Sequence, residues 1–420
     1  MAESTRRLTI GCIADDFTGA GDAASFLTAG GLNTLLLIWP CRDAFIPATC
    51  QAVVVALKSR SEPAADAVAE SLAAVRWLKS QGTQRLYFKY CSTFDSTPQG
   101  NIGPVADALL EELALPYTLL CPSLLSNGRS VRGGVLTVNG VPLAESHMSR
   151  HPLNPMWASS LPVLMEPQSL YPCFVLSAEE TADEAALRAK LQRLQAAHPH
   201  FYLVPDYFTP EQGRWIARFF ADLPLLTGGS ELLEHLARQF RGAGASAPPP
   251  APPPAPHPTG TCGRVMLAGS CSDVSRAQID RWCTSGGLSA AIEPEMLFEQ
   301  APQAVAQLAE QYRQHPEQDI LFYSSPRRAD RPGQARAIEE FIALLAKSIV
   351  ESSPVDRLIV AGGETSGAVI RALGFNGFMI GPSIAPGVPI LYPTGTNSLR
   401  IVLKSGNFGQ PDFFLTTLKE

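Results

Sequence analysis

Leu8-Thr-Ile-Gly-Cys-Ile-Ala14 is followed at once by Asp15-Asp-Phe-Thr-Gly-Ala-Gly-Asp22. The first segment is a short apolar run of the kind that forms a buried strand. It stops at two adjacent carboxylates. A Thr-Gly-Ala-Gly turn then leads to Asp22, which opens an apolar, helix-like segment over 23–29. Strand, acidic loop, turn and helix in that order read as the start of an open α/β sheet, where ligands bind beyond the carboxyl ends of the strands. Neighbouring carboxylates raise one another's pKa, so acid/base or metal work explains such a pair better than stability does. Plain structural roles also fit: Asp15 as a solvated loop residue and Asp22 as a helix N-cap.

The same alternation continues outward from this segment. Strand-like runs at 34–38, 52–57, 85–90, 117–121, 173–176, 201–204 and 223–226 are interleaved with helix-like segments at 62–79, 103–113, 182–197 and 210–220. Beyond residue 261 the pattern recurs, with strands at 264–268, 288–292, 320–323, 357–361, 389–392 and 400–404 and helices at 274–283, 302–313, 333–351 and 365–373. Strands alternating with helices predict βαβ units and mostly parallel sheets. Between the halves lies Ala247-Pro-Pro-Pro-Ala-Pro-Pro-Pro-Ala-Pro-His-Pro258, after Gly242-Ala-Gly-Ala-Ser-Ala. So many prolines neither pair in a sheet nor continue a helix, and they favour an extended, semi-rigid spacer. The expected architecture is therefore a two-domain α/β protein. Each domain is a mostly parallel sheet flanked by helices, at 1–241 and 262–420, with a linker at 242–261 and the active site in the cleft between the domains.

Composition narrows the functional classes. The chain has 420 residues, 45% of them hydrophobic and 17% charged, as a globular protein with a substantial core does. A net charge of -6 gives no basic footprint for nucleic acid or an anionic membrane. No run approaches the roughly 20 apolar residues of a spanning helix. The nine cysteines are scattered and none forms C-x-x-C, so they read as reduced thiols of a cytoplasmic protein. His147 and His151 are four apart, but Pro152 follows at once and no third ligand is placed, and His198 and His200 flank Pro199 at a helix end, so no metal ligand set is assigned.

Three glycine and hydroxyl turns follow strands in the second half: Ala268-Gly-Ser-Cys-Ser272, Ala361-Gly-Gly-Glu-Thr-Ser-Gly367 and Lys404-Ser-Gly-Asn-Phe-Gly409. Glycine lets a backbone approach a ligand closely, and N–H groups at a helix start hold phosphate. Three such turns on one parallel sheet share its carboxyl edge, where a nucleotide bridges them. There is no G-x-x-x-x-G-K-[ST] P-loop and no G-x-G-x-x-G opening a Rossmann unit. Asp16-Phe-Thr-Gly19 is not the D-F-G of protein kinases, since no H-R-D loop accompanies it. The first half carries different loops. Lys58-Ser-Arg60 follows one strand, and Lys89-Tyr-Cys-Ser92-Thr-Phe-Asp95 follows another and runs on to Gly100-Asn-Ile-Gly103. Cations at strand ends suit a carboxylate-bearing substrate, with Arg able to grip it bidentately. Hydroxyl and amide side chains suit a polyol, though the Asp-Ser-Thr-Pro stretch also reads as an ordinary turn.

Taken together, Ala14-Asp-Asp-Phe-Thr-Gly-Ala20 with Asp22, Lys58-Ser-Arg60, Gly269-Ser-Cys-Ser272, Gly362-Gly-Glu-Thr365 and Lys404-Ser-Gly406 resemble the four-carbon acid sugar kinase family. The resemblance covers nearly the whole chain apart from the linker. Phe88-Lys-Tyr-Cys-Ser-Thr-Phe-Asp-Ser-Thr-Pro98, Asn139-Gly-Val-Pro-Leu-Ala-Glu-Ser146 and His151-Pro-Leu-Asn-Pro155 resemble the 3-oxo-tetronate kinase branch. The resemblance implies ATP- and Mg²⁺-dependent phosphorylation of the 4-hydroxyl of a 3-oxo four-carbon sugar acid. Another sugar acid, such as threonate or erythronate, is the alternative substrate. It further implies Asp16 and Asp22 as candidate catalytic bases. Asp15, Lys58, Arg60, Lys89, Ser92 and Asp95 would lie on the substrate, and Ser270, Ser272, Gly362, Gly363, Glu364, Thr365 and Gly406 on ATP. The partners are then small molecules, with neither nucleic acid nor membrane, and homo-oligomerisation stays open. Asp16-Phe-Thr-Gly-Ala-Gly-Asp22 is also similar to the D-T-x-G-A-G-D signature of ribokinase-type kinases, but there it sits late in the chain. A two-domain sensor of sugar acids is the non-enzymatic rival, and it has no need of three phosphate-type turns.

Overall fold

The computed structural model describes residues 8–150, 154–241, 263–270, 272–325, 333–395 and 399–416. The proline-rich linker, His151 and Cys271 lie outside the described residues. The chain divides into two units, Met1–Pro249 and Pro250–Glu420.

The first unit begins β1 (Ile10–Ala14), α1 (Phe17–Ala29), β2 (Thr34–Ile38), β3 (Ala52–Ala56), α2 (Ala64–Ser80), β4 (Leu86–Lys89) and α3 (Ile102–Glu112). It continues β5 (Tyr117–Leu119), β6 (Arg129–Arg132), β7 (Val135–Val138), β8 (Val141–Pro142), α4 (Leu161–Met165), β9 (Cys173–Leu176), α5 (Glu184–Ala197), β10 (Phe201–Pro205), α6 (Pro210–Phe219), β11 (Leu225–Gly228) and α7 (Glu231–Arg241). Its main sheet runs β11-β4-β1-β3-β2 with every pair parallel. The strands are short and apolar because helices cover both faces, and β1, β2 and β3 are buried at every residue. Register aligns Ala14 with Ala56 and Lys89, and Lys89 with Gly228. The segments after these strands therefore leave the sheet at one edge.

A smaller parallel sheet, β5-β10-β9, and an antiparallel sheet, β6-β7-β8, complete the unit. The hairpin sheet turns at Gly133-Gly134 and Asn139-Gly140, whose four φ values lie between 51° and 80°. Two-residue hairpins of type I′ demand positive φ at both positions, which Gly and Asn tolerate.

The second unit comprises β12 (Arg264–Ala268), α8 (Asp273–Thr284), β13 (Leu288–Ile292), α9 (Ala301–Gln314), β14 (Ile320–Ser324) and α10 (Gln334–Ser352). After these come β15 (Arg357–Ala361), α11 (Gly363–Leu373), β16 (Gly377–Ala385), β17 (Val388–Pro393), β18 (Arg400–Lys404) and α12 (Phe413–Thr416). The strands lie in the order β16-β17-β18-β15-β12-β14-β13. They are parallel from β18 to β13 and antiparallel where β17 meets β16 and β18. Met266, Ile359, Val402, Trp282 and Phe413 belong to a buried apolar cluster of this unit. Ala268, Ala361 and Lys404 stand level across the sheet, so the three glycine turns emerge side by side.

One expectation is corrected. The Thr-Gly-Ala-Gly segment is no turn and Asp22 opens no helix. Helix α1 starts at Phe17, with Asp16 as its N-cap. Glycines in a helix cost roughly 1 kcal/mol each relative to alanine, which is why the pair reads as a turn. At Gly19 that cost has a reason: a Cβ there would run into Asp16 Oδ1 and Lys89 Nζ.

Candidate active site

At the carboxyl edge of the first sheet, β1 delivers Asp15 and Asp16, β3 delivers Lys58 and Arg60, and β4 delivers Lys89. Asp15 is 2% exposed and both its oxygens are held by Arg60, Oδ2 by Nε at 2.9 Å and Oδ1 by Nη2 at 2.7 Å. The same Nη2 reaches Asp16 Oδ1 at 2.9 Å. Asp16 also accepts from the Gly19 amide at 2.8 Å and from Thr18 Oγ1 at 2.9 Å. Burial pushes the Asp16 carboxyl up. Arg60, Lys89 and the Thr18 and Gly19 hydrogen bonds outweigh it and hold the carboxyl below its ordinary value. Asp16 is therefore a fully engaged, ionised cap.

Asp22 differs from Asp16 in almost every respect. It lies nearly two turns further along α1, 2% exposed. Its Oδ2 accepts from Ser230 Oγ at the start of α7, while its Oδ1 is buried with no hydrogen-bond partner. Burial pushes its pKa up to about 6, against the pull of Lys89 and the Ser230 hydroxyl and with the help of Asp16 and Glu231. A carboxylate with a free oxygen and a pKa near neutrality is suited to take a proton.

The loop after β4 supplies the remaining sequence candidates. Ser92 is buried, and Asp95 accepts from Asn154 Nδ2 at 2.8 Å. Between them Phe94 is fully buried at φ +47°, a left-handed conformation costly for a bulky residue. Asn101 ties this loop to the Lys58–Arg60 loop, donating through Nδ2 to the carbonyls of Ser59, Arg60 and Glu62. Lys58, beside them, is half-buried.

In the second unit the three turns meet. Gly269 and Ser270 amides donate to the Ala361 carbonyl at 3.1 and 3.3 Å, and the Gly362 amide to Lys404 O at 2.8 Å. Ser272 caps α8 by accepting from the Ser275 amide, and its hydroxyl donates to Gly406 O at 2.7 Å. A Cβ on Gly406 would strike Ser270 Oγ, one on Gly269 would strike Thr365 Oγ1, and one on Gly362 would come within 3.0 Å of Thr365 Oγ1. Gly362 has φ +125°, which only glycine adopts freely, and it leads directly into α11, whose first residues are Gly363, Glu364 and Thr365. Glu364 is exposed and Thr365 is buried. Bare backbone, hydroxyls and a helix N-terminus stand together here, the elements from which anion sites are built.

Three functional candidates escape sequence reading. Ser230 meets Asp22 across 208 positions of sequence. Arg129 opens β6 at 6% exposure. Lys404, quoted in a turn but given no role, is fully buried and donates to the Ser405, Gly406 and Phe408 carbonyls at 2.9, 3.3 and 3.1 Å. Burial pushes its pKa down to about 7. No local pattern marks the first two, because long-range packing sets them. Among the described residues no three His, Cys, Asp or Glu cluster as a metal cage, and no helix is long and apolar enough to cross a membrane.

Comparison with known proteins agrees with this division. Residues 10–236 match the sugar-binding N-terminal domain family and residues 265–414 the nucleotide-binding C-terminal domain family. A curated 3-oxo-tetronate kinase of Pseudomonas fluorescens is 40% identical, over 100% of this chain and 98% of its own. One of Salmonella typhimurium is 41% identical over 98% and 99%. A crystal structure from Salmonella typhimurium LT2 superposes with a TM-score of 0.82 at 40% identity, covering 97% of this chain and 98% of that one. With both halves matched, and relatives aligned end to end, the chain belongs to the four-carbon acid sugar kinase family.

Proposed function

We propose that this protein transfers the γ-phosphoryl group of ATP to the 4-hydroxyl of a 3-oxo-tetronate, releasing ADP and the 4-phosphate. The observation that carries the chemistry is Asp22: a buried carboxylate with one unpaired oxygen, on the sugar-binding unit of a chain whose full-length relatives are named 3-oxo-tetronate kinases. Phosphoryl transfer asks a protein for positioning, charge stabilisation and a carboxylate to accept the hydroxyl proton. In this reading Asp22 takes that proton through Oδ1, and Ser230 fixes the carboxyl plane. Asp16 acts by position, capping α1 and holding Arg60, and Asp15 sets the orientation of that guanidinium. Lys58, Arg60 and Lys89 meet the negative charge of the substrate and the transferring group, and Ser92 and Asp95 meet hydroxyls. The nucleotide rests on Ser270, Ser272, Gly362, Gly363, Glu364, Thr365 and Gly406.

Mg²⁺ typically keeps several waters and binds through substrate phosphates plus one or two carboxylates. The ion would supply charge neutralisation across the β- and γ-phosphates. Asp15 and Asp16 are engaged by Arg60, while Glu364 and Asp273 are exposed carboxylates in the first turns of the helices that open at the glycine turns.

ADP release measured by a coupled assay, over a panel of tetronates and their 3-oxo forms, tests the reading. A 3-oxo-tetronate is expected to turn over fastest, with the new phosphate on the 4-oxygen by ³¹P NMR. No ADP release with any 3-oxo form, or preference for threonate or erythronate, sinks the assignment.

A further inference from the structure

Arg129 is a charged group taken almost wholly out of water, and its partners do not account for it. Its Nη1 donates to the Asn127 carbonyl, its Nε is buried with no partner, and it forms no ion pair among the described residues. Burying a cation without a counter-charge is costly, and a fold that keeps one leaves a place for an anion. The surrounding scaffold ties its loop to the segment that holds Asp22. Arg129 and Leu124 exchange backbone hydrogen bonds at 3.0 and 2.9 Å. Ser126, in the same tight loop, donates its amide to Glu231 Oε2 at 3.0 Å, and the residue before Glu231 is the Ser230 that holds Asp22. Burial holds the Arg129 guanidinium below its ordinary pKa, with the Asp22 carboxylate acting against that.

Two other cations of this edge, Arg60 and Lys89, stand against the α1 carboxylates and not beside Arg129. Arg60 carries a bidentate pair to Asp15 and a contact to Asp16. Lys89 Nζ stands over the first turn of α1 beside Asp16, and its charge acts on both Asp16 and Asp22. Resting on the proposed function, we propose that Arg129 receives the carboxylate of the sugar acid, through Nε and a second guanidinium nitrogen, while Asp22 faces the hydroxyl at the other end. Arginine's planar fork matches a carboxylate. Asp22 and Arg129 make no ion pair with each other, and each keeps a side-chain atom unpartnered. Lys58, Arg60 and Lys89 are then left to the transferring phosphoryl group.

The test compares two acceptors: the 3-oxo-tetronate, and the neutral ketotetrose in which a hydroxymethyl group replaces its carboxylate. For Arg129→Gln, kcat/KM with the acid is expected to fall roughly 100-fold, the worth of a charge-assisted pair. With the neutral ketose it should change less than about threefold, and the KM for ATP should hold. Arg129→Lys keeps charge and loses the fork, so a loss of about tenfold confined to the acid is expected, and this variant decides the matter if Arg129→Gln does not fold. Equal losses on both acceptors make Arg129 a structural residue and overturn the proposal, as does an unaffected acid. Failure of the wild type to release ADP sinks the kinase reading instead. Equilibrium binding of the tetronate panel to wild type and Arg129→Lys then judges this residue, and binding that is equal or absent in both overturns its role.

Discussion

At the carboxyl edge of the first unit's sheet stand Asp15, Asp16 and Asp22 with Arg60 and Lys89. At the corresponding edge of the second stand Gly269, Ser270, Gly362, Thr365 and Gly406, with Lys404 turned inward onto carbonyls. The two edges share a construction, parallel strands ending level, and differ in what the loops carry. In the first, charges are balanced against one another, and the pairing of Arg60 with Asp15 and Asp16 leaves Asp22 with an oxygen to spare. In the second, the protein brings almost no charge and offers N–H groups, hydroxyls and space where side chains are missing. A group that must move a proton needs a tuned pKa. A surface that holds phosphates needs fixed donors that do not titrate.

Asp22→Asn breaks the comparison most severely. Loss of a general base typically costs 10²- to 10⁴-fold, so kcat is expected to fall by more than about 100-fold while the KM for ATP stays put. Steady-state kinetics decide it, and near-wild-type turnover would remove the charged edge from the chemistry. Asp16→Asn sharpens the contrast, because it weakens a cap and an ion pair while leaving Asp22 in place. Its kinetic loss should be the smaller of the two.

The pH profile comes next in size. Asp22 titrates at about 6 and must be ionised to accept a proton. kcat/KM for the sugar acid should therefore drop about tenfold per pH unit below that value. A profile flat to pH 5 would assign the proton to another group.

On the neutral edge the effect is gentler. Gly362→Ala puts a Cβ at φ +125° and 3.0 Å from Thr365 Oγ1, a strain of order 1–3 kcal/mol in the turn. The KM for ATP is expected to rise roughly tenfold, with binding of the sugar acid, measured without nucleotide, unchanged. Equal loss of both would place the turn elsewhere in the mechanism.

The two edges were not equally legible in sequence. The neutral one could be read almost completely, because each glycine turn directly follows an apolar strand, and β12, β13, β15 and β18 end where the apolar runs end. The charged one was legible in its residues but not in its division of labour. Asp16 and Asp22 look alike in sequence, and only contacts with Arg60, Gly19 and Ser230 separate a saturated cap from an unpaired carboxylate. Glycines at 19 and 21 hid the first turns of α1. The reason for Gly19, close approach by Lys89, depends on a residue some 70 positions away. The hairpin sheet that carries Arg129 did leave a local trace in Gly133-Gly134 and Asn139-Gly140. β16 left little, since its Gly381-Pro382 pair breaks an apolar pattern where the strand pairs antiparallel with β17.

The contrast also extends to stability. Asp22 has its pKa raised from 3.8 to about 6 on folding, so the native state holds a proton the unfolded chain has lost. Its contribution is complete below about pH 4 and disappears as pH rises through 6. Lys404 has its pKa lowered from 10.5 to about 7, so between those values the unfolded chain holds the extra proton. Its contribution is complete above about pH 10 and disappears as pH falls through 7. Each slope is at most one proton, about 1.36 kcal/mol per pH unit, with opposite signs in the two units. Asp22→Asn should thus match wild type near pH 4 and exceed it by up to about 3 kcal/mol above pH 6, the product of that slope and the shift from 3.8 to about 6. Lys404→Met should lose ground to wild type steadily from pH 7 upward. Hydrogen exchange read separately on peptides of the two units, with intrinsic rates corrected for pH, resolves which unit responds. A difference from wild type that stays flat with pH in either variant would show that its buried group keeps its ordinary pKa, and that the two edges differ in their residues without differing in their titration.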